Sequence, residues 1–161
     1  TVHEIIFRAV QECPQVLALQ DSYGKVMTYE MLWLLSTRAA YFLMDKGAKV
    51  EDVIAIAIED GFEMVITMLA ILICGSAFTM IDTRQLLNRQ RRSLEHANVV
   101  MIIGWASDEV NIKSEFEPAI ICIEELLERC WDPSCGCVEG AGPAGPHNAC
   151  WVYCTSGTTG S

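Results

Sequence analysis

Basic residues are scarce in this chain. Its 161 residues include 11 Lys and Arg against 21 Asp and Glu, which gives a formal net charge of −10 at pH 7. A protein that binds DNA or RNA through its phosphates needs a positive patch or stripe. The one cluster of arginines, between positions 84 and 92, is interpreted as one face of a helix. We therefore expect no nucleic-acid partner.

The sequence also lacks a secretory signal and paired CxxC motifs. Most of its eight cysteines lie in apolar runs, where a free thiol behaves as a small hydrophobic group. Cys135 and Cys137, with His147 and Cys150, supply zinc-type ligands, but not at the spacing of structural zinc sites. We expect a reduced, cytoplasmic protein with no metal site in this chain, and a zinc site on these four residues is the alternative.

An uncharged stretch covers residues 64–81. Its length reaches the lower limit for a transmembrane helix, and arginines follow it. Gly75 interrupts the stretch, however, and glycine commonly ends a helix. The pattern therefore favours a helix over 61–74 followed by a buried strand over 77–81, with no membrane partner. A small membrane protein built on residues 64–81 is the alternative.

The rest of the chain alternates helical and strand patterns. We predict helices over 3–13, 29–46, 89–97 and 124–130, and strands over 16–20, 26–29, 53–58, 99–104, 119–123 and 150–154. This alternation predicts an α/β fold, a layered and parallel-rich sheet with helices on both faces. Residues 132–148 are rich in Gly and Pro and are predicted to form a flexible loop before the last strand.

A run of small polar residues follows the last predicted strand. It consists of Thr155, Ser156, Gly157, Thr158, Thr159 and Gly160. Glycine permits the backbone angles that turn successive N–H groups toward an anion, and the hydroxyl groups add further donors. Because the GxxxxGK[ST] pattern is absent, we predict a phosphate-binding loop of another type. A solvated tail of small residues is the other interpretation.

This run resembles the start of the phosphate-binding signature of the adenylate-forming, or AMP-binding, superfamily. That superfamily includes acyl-CoA synthetases, luciferases and the adenylation domains of nonribosomal peptide synthetases. Residues 27–32 (MTYEML) resemble its LTYxEL segment, and residues 72–82 (LICGSAFTMID) resemble LKAGxAYVPID, in the same order along the chain. Residues 1–161 are identified as a partial, truncated adenylation domain, most similar to the N-terminal subdomain of a peptide synthetase enzyme.

The resemblance implies that a substrate carboxylate attacks the α-phosphorus of ATP, giving an acyl-adenylate and pyrophosphate, before a thiol takes the acyl group. It implies ATP and Mg²⁺ as cofactors, and phosphopantetheine on a carrier domain or CoA as the thiol. The implied partners are a carboxylate substrate, which we take to be an amino acid, the C-terminal remainder of the adenylation domain and a carrier-protein domain. Residues 155–160 would contact the β- and γ-phosphates, with hydroxyl groups from Thr158 and Thr159.

The signature lysine of the superfamily would lie beyond Ser161. We therefore expect no catalytic residue in this chain and no adenylation by these 161 residues alone. An acyl-CoA synthetase, an aminoadipate-reductase-like enzyme and a degenerate, non-catalytic nucleotide-binding relative are the alternatives. The last is supported by departures from the LKAGxAYVPID segment, at Ile73, Cys74, Thr79 and Met80. Tyr29 and Asp82 are interpreted as structural residues, at a helix start and a strand end.

Overall fold

A computed structural model of the protein describes residues 1–81, 94–105 and 118–153. In chain order the elements are α1 (Val2–Glu12), β1 (Leu17–Gln20), β2 (Val26–Thr28), α2 (Tyr29–Asp45), β3 (Val53–Ala57), α3 (Phe62–Ile73), β4 (Ala77–Met80), β5 (Val99–Gly104), β6 (Ala119–Cys122) and α4 (Ile123–Trp131). Each helix and strand predicted within these ranges is present close to its predicted bounds, except the predicted strand over 150–154, whose described residues form one isolated parallel bridge, between Trp151 and Phe78. The predicted helix over 89–97 lies partly outside the described residues, as does the end of the predicted strand over 150–154.

The central feature is a parallel sheet with the strand order β4-β3-β5-β6. The side chains of β3 alternate between two apolar layers, as the twofold repeat of a strand requires. Ile54 and Ile56 lie in the larger core with α2, α3 and α4, whereas Ala55 and Ala57 pack on the opposite side with Leu94 and Ala97. The predicted parallel sheet, covered on both faces, is confirmed. Strands β1 and β2 form a separate antiparallel hairpin.

The uncharged stretch 64–81 divides at Gly75. Helix α3 ends at Ile73, and Gly75 then adopts φ +81°, where a Cβ would lie 3.0 Å from the Val50 side chain. The left-handed backbone and this close approach both favour glycine. The chain turns back into β4, so the predicted helix–strand unit is confirmed. Over the described ranges, no helix is long and apolar enough to cross a membrane, and the alternative of a membrane helix over 64–81 is wrong.

The Gly/Pro-rich segment 132–148 packs against two helices. A Cβ on Gly136 would lie 2.7 Å from the Tyr41 ring of α2. Gly142, at φ +82°, lies against the backbone carbonyl of Ile73 at the end of α3, with no room for a Cβ. Composition predicted a flexible loop, but glycine here provides the space for close packing. The segment therefore brings the chain back across α2 and α3 to the edge of the sheet beside β4.

Candidate functional site

The predicted phosphate loop, residues 155–160, lies outside the described residues, and so does Asp82. Its role in binding phosphate stays a prediction. The structure does describe residues 150–153, which lead directly into the loop and are called the stem below. The stem is therefore the part of this region whose geometry can be described.

The stem lies beside β4 and runs parallel to it. The Phe78 backbone N–H donates to the Cys150 carbonyl at 3.1 Å, and the Val152 N–H donates to the Phe78 carbonyl at 2.9 Å. A parallel bridge between Phe78 and Trp151 joins the same two segments. The stem therefore ends at the same edge of the sheet as the carboxyl ends of the other parallel strands.

Ligands of open α/β sheets bind at the carboxyl edge of the strands, near the point where the strand order reverses. Here the chain places β4 on one side of β3 and β5 on the other, so the reversal lies between β3 and β5. The stem is separated from β3 only by β4. The stem therefore ends at the edge where this fold class binds nucleotides.

Aromatic rings hold one face of the stem. The Phe78 and Trp151 rings stack with their centroids 6.1 Å apart and their planes at 17°. Trp151 and Tyr153 meet edge to face, with centroids 5.7 Å apart. Phe78 is buried, whereas 57% of Trp151 and 72% of Tyr153 are exposed. The stack stabilises the stem against β4 and leaves two large rings at the surface.

The start of the stem is held by Glu51, which sequence reasoning missed. Its Oε1 atom accepts hydrogen bonds from the Asn148 side-chain amide and, at 3.3 Å, from the Ala149 backbone N–H. The Gly145 N–H in turn donates to Asn148 Oδ1 at 2.7 Å. No local sequence signal could have revealed this contact, because the partners are 97 and 98 positions apart.

A cavity of about 210 Å³ lies at the opposite, amino edge of the sheet, beside Ser76 and Cys150. His3 lines it, is only 2% exposed, and has Nε2 3.1 Å from Thr1 Oγ1. Its ring also hydrogen-bonds the backbone of Ala144. Burial lowers the pKa of His3 below its usual value of 6.5. The cavity contacts the start of the stem at Cys150, whereas Trp151, Val152 and Tyr153 do not line it.

The described residues at the carboxyl edge are acidic rather than basic. Glu59 and Asp60 follow β3 and are exposed, and Glu63 lies in the first turn of α3. Carboxylates repel phosphate oxygens, so phosphate recognition requires neutral donors or a cation. The Thr, Ser and Gly residues of 155–160 have the donor chemistry that ATP phosphates require.

The zinc alternative receives no support from the arrangement of its four residues. All of Cys135, Cys137, His147 and Cys150 are described, and no group of three or more His, Cys, Asp or Glu side chains in the described part of the chain could hold a metal ion. The seven cysteines in that part have free thiols. Burial raises the pKa of Cys74 and of Cys130 to about 12, as expected for thiols packed in the core.

Residues 6–161 match the AMP-binding enzyme family. A nonribosomal peptide synthetase of Pyrenophora dematioidea is 29% identical over 161 residues, which cover 99% of this chain and 12% of that protein. The N-terminal subdomain of Klebsiella oxytoca NpsA has a TM-score of 0.82 at 22% identity, over 99% of this chain and 39% of that one. The peptide synthetase FmoA3, in its AMPPNP-bound form, has a TM-score of 0.81 at 21% identity, over 96% of this chain and 16% of that one.

The two solved structures share the fold of this chain, which confirms the predicted α/β architecture. This chain spans 12% of the length of the Pyrenophora relative. The family match includes all three segments that carried the sequence resemblance, at 27–32, 72–82 and 155–160. The chain therefore belongs to the AMP-binding enzyme family, the superfamily that its sequence resembles.

Proposed function

We propose that the protein carrying this chain activates an amino acid with ATP, forming an aminoacyl-adenylate and pyrophosphate, and transfers the aminoacyl group to a thiol. The observation that carries this proposal is the family match over residues 6–161, which includes the loop that follows the stem. The similarity to a peptide synthetase over the length of this chain supports an amino acid as the carboxylate. The AMPPNP-bound form of FmoA3 supports ATP as the nucleotide.

In this proposal, residues 155–160 hold the β- and γ-phosphates of ATP. When the carboxylate attacks the α-phosphorus, the bond to the bridging oxygen breaks and negative charge accumulates on the departing pyrophosphate. Backbone N–H groups and the hydroxyl groups of Thr158 and Thr159 would stabilise that charge, because fixed donors need little reorganisation as it develops. The stem supports this role because it ends at the carboxyl edge of the sheet.

Magnesium bound with ATP would neutralise part of the charge on the phosphates. We assign no ligand for it to this chain, because the described residues hold no suitable group of side chains. The signature lysine, the substrate pocket and the remaining nucleotide contacts are proposed to lie in the C-terminal remainder of the adenylation domain. The thiol is proposed to be phosphopantetheine on a carrier domain, and the location to be cytoplasmic.

The departures from the family segment do not favour a non-catalytic relative. Ile73 is fully buried and Thr79 is 6% exposed, so both belong to the packed core. Cys74 is also buried, and its thiol donates to the Ala40 carbonyl at 3.4 Å. Of the four departures, only Met80 is substantially exposed, at 40%. Three of them therefore concern packing rather than contact with a nucleotide.

The test is carboxylate-dependent exchange of labelled pyrophosphate into ATP, measured on the intact protein with amino acids, aryl acids and fatty acids. The proposal expects exchange with one or a few amino acids, and acyl transfer to a carrier domain rather than to CoA. Exchange with fatty or aryl acids and transfer to CoA would instead indicate an acyl-CoA synthetase. Binding of ATP without exchange for any acid would indicate a non-catalytic relative. The 161 residues alone are expected to give no exchange.

A further inference from the structure

Glu51 has an unusual backbone conformation for a residue with a side chain. Its φ angle is +69°, in the left-handed region that glycine occupies at little cost. Its N–H donates to the Gly75 carbonyl at 2.9 Å, which places Glu51 next to the turn before β4. A non-glycine residue is retained in such a conformation when its surroundings hold it there.

The Glu51 carboxylate joins two parts of the chain that enter the sheet side by side. Glu51 itself lies two residues before β3, and it accepts hydrogen bonds from Asn148 and Ala149, which immediately precede the stem. Asn148 is itself fixed by the hydrogen bond from the Gly145 N–H. A hydrogen bond to a charged acceptor is stronger than one between neutral groups. One carboxylate thus fixes the position at which the stem begins.

The contacts of the stem with β4 make this position important. Both backbone hydrogen bonds between the stem and β4 involve Phe78, and the Trp151 ring stacks on the Phe78 ring. A short segment held around one residue is easily displaced along its neighbour, and a shift of one residue reverses which face each side chain occupies. Residue 155 follows two positions after Tyr153, so displacement of the stem would displace the loop.

We propose that Glu51 is a positioning residue for the phosphate loop. Its carboxylate holds Asn148 and Ala149 and thereby keeps the stem, which precedes residues 155–160 in the sequence, in register with β4. The inference rests on the proposed function only where it concerns ATP. The register of the stem itself can be tested without any activity.

The backbone and side-chain roles of Glu51 can be separated by substitution. Glu51→Gln keeps an oxygen acceptor and should restore most of the contact, whereas Glu51→Ala removes it. Glu51→Gly also removes the acceptor but suits the left-handed backbone, so it should leave thermal stability at or above that of the native protein. The matched control is Glu139→Ala, which removes an exposed carboxylate from segment 132–148, the segment that also contains Asn148.

The first measurement is hydrogen exchange of the Val152 amide in the intact protein, because that amide donates to Phe78. We expect exchange to be about two- to fivefold faster in Glu51→Ala and Glu51→Gly, from the loss of two surface hydrogen bonds. Asn148→Ala should have a similar effect and should not add fully to Glu51→Ala, because both remove the same contact. Glu51→Gln and Glu139→Ala should remain close to the native rate.

The second measurement is pyrophosphate exchange at varied ATP and varied carboxylate. We expect Glu51→Ala and Glu51→Gly to raise KM for ATP by about two- to fivefold, with KM for the carboxylate nearly unchanged, because only the phosphate loop is displaced. Recovery in Glu51→Gln would support the role of the acceptor. An equal rise in both KM values would overturn the assignment of the effect to the phosphate loop.

The two readouts distinguish failure of this inference from failure of the proposed function. Native-like Val152 exchange in a folded Glu51→Gly variant would overturn the positioning role, whatever the activity. If no carboxylate supports pyrophosphate exchange but the Val152 amide exchanges faster in Glu51→Ala and Glu51→Gly, the proposed function fails and the role of Glu51 in fixing the stem is supported.

Discussion

Replacing Gly142 by alanine tests whether segment 132–148 is held by packing. Gly142 has φ +82°, and a Cβ there would meet the Ile73 backbone carbonyl well inside contact distance. The left-handed conformation costs a residue with a Cβ about 1–2 kcal/mol. Moving a backbone carbonyl at the end of α3 adds about 1–3 kcal/mol, as overpacking of a core does. We expect the free energy of unfolding to fall by about 2–5 kcal/mol.

Gly140→Ala is the matched control for this prediction. Gly140 lies in the same segment at φ +64°, but a Cβ there would have no neighbour within 4 Å. It should therefore show only the backbone cost, about 1–2 kcal/mol. Urea unfolding followed by tryptophan fluorescence measures both variants. Equal destabilisation by Gly140→Ala and Gly142→Ala would refute the conclusion that the segment is packed against Ile73.

Three further predictions concern the buried histidine, the core and the loop. Burial lowers the pKa of His3 below 6.5, so the unfolded state binds its proton first as the pH falls. The free energy of unfolding should therefore decrease below about pH 6.5, and this group should not change it at higher pH. The urea midpoints at pH 7.5 and 5.5 should differ less in His3→Gln than in the native protein. Ile56→Ala removes a fully buried side chain and should cost about 2–5 kcal/mol in the same unfolding assay. Replacing Thr158 and Thr159 together by alanine removes two hydroxyl donors to charged phosphate. It should raise KM for ATP about tenfold or more in pyrophosphate exchange. An unchanged KM would remove these residues from the proposed site.

Local pattern predicted much of the fold because its causes are local. The apolar, β-branched run at 99–104 forms β5 over the same residues. The helix predicted over 29–46 begins at Tyr29, and the Oγ1 of Thr28 accepts from the Met31 N–H at 3.3 Å at its start. Gly75 was predicted to end the helix within 64–81, and it does. In each case a few neighbouring residues determine the conformation.

Contacts between distant parts of the chain could not be predicted in this way. The glycines at 136 and 142 lie in a segment with the composition of a flexible loop. Only the structure shows that each is packed so closely against its neighbours that a Cβ would not fit. The order of the strands follows from tertiary packing, and no pattern within β5 specifies that it lies beside β3. The contact of Glu51 with Asn148 joins residues 97 positions apart. The candidate loop was predicted from its sequence motif, whereas the contacts of its stem with β4 could be seen only in the structure.

The proposed activation of an amino acid is tested most directly by pyrophosphate exchange into ATP with the intact protein. We expect exchange that depends on a specific amino acid, and a marked rise in KM for ATP when Thr158 and Thr159 are both replaced by alanine. Absence of exchange with every carboxylic acid, in a folded protein supplied with ATP and Mg²⁺, would contradict it.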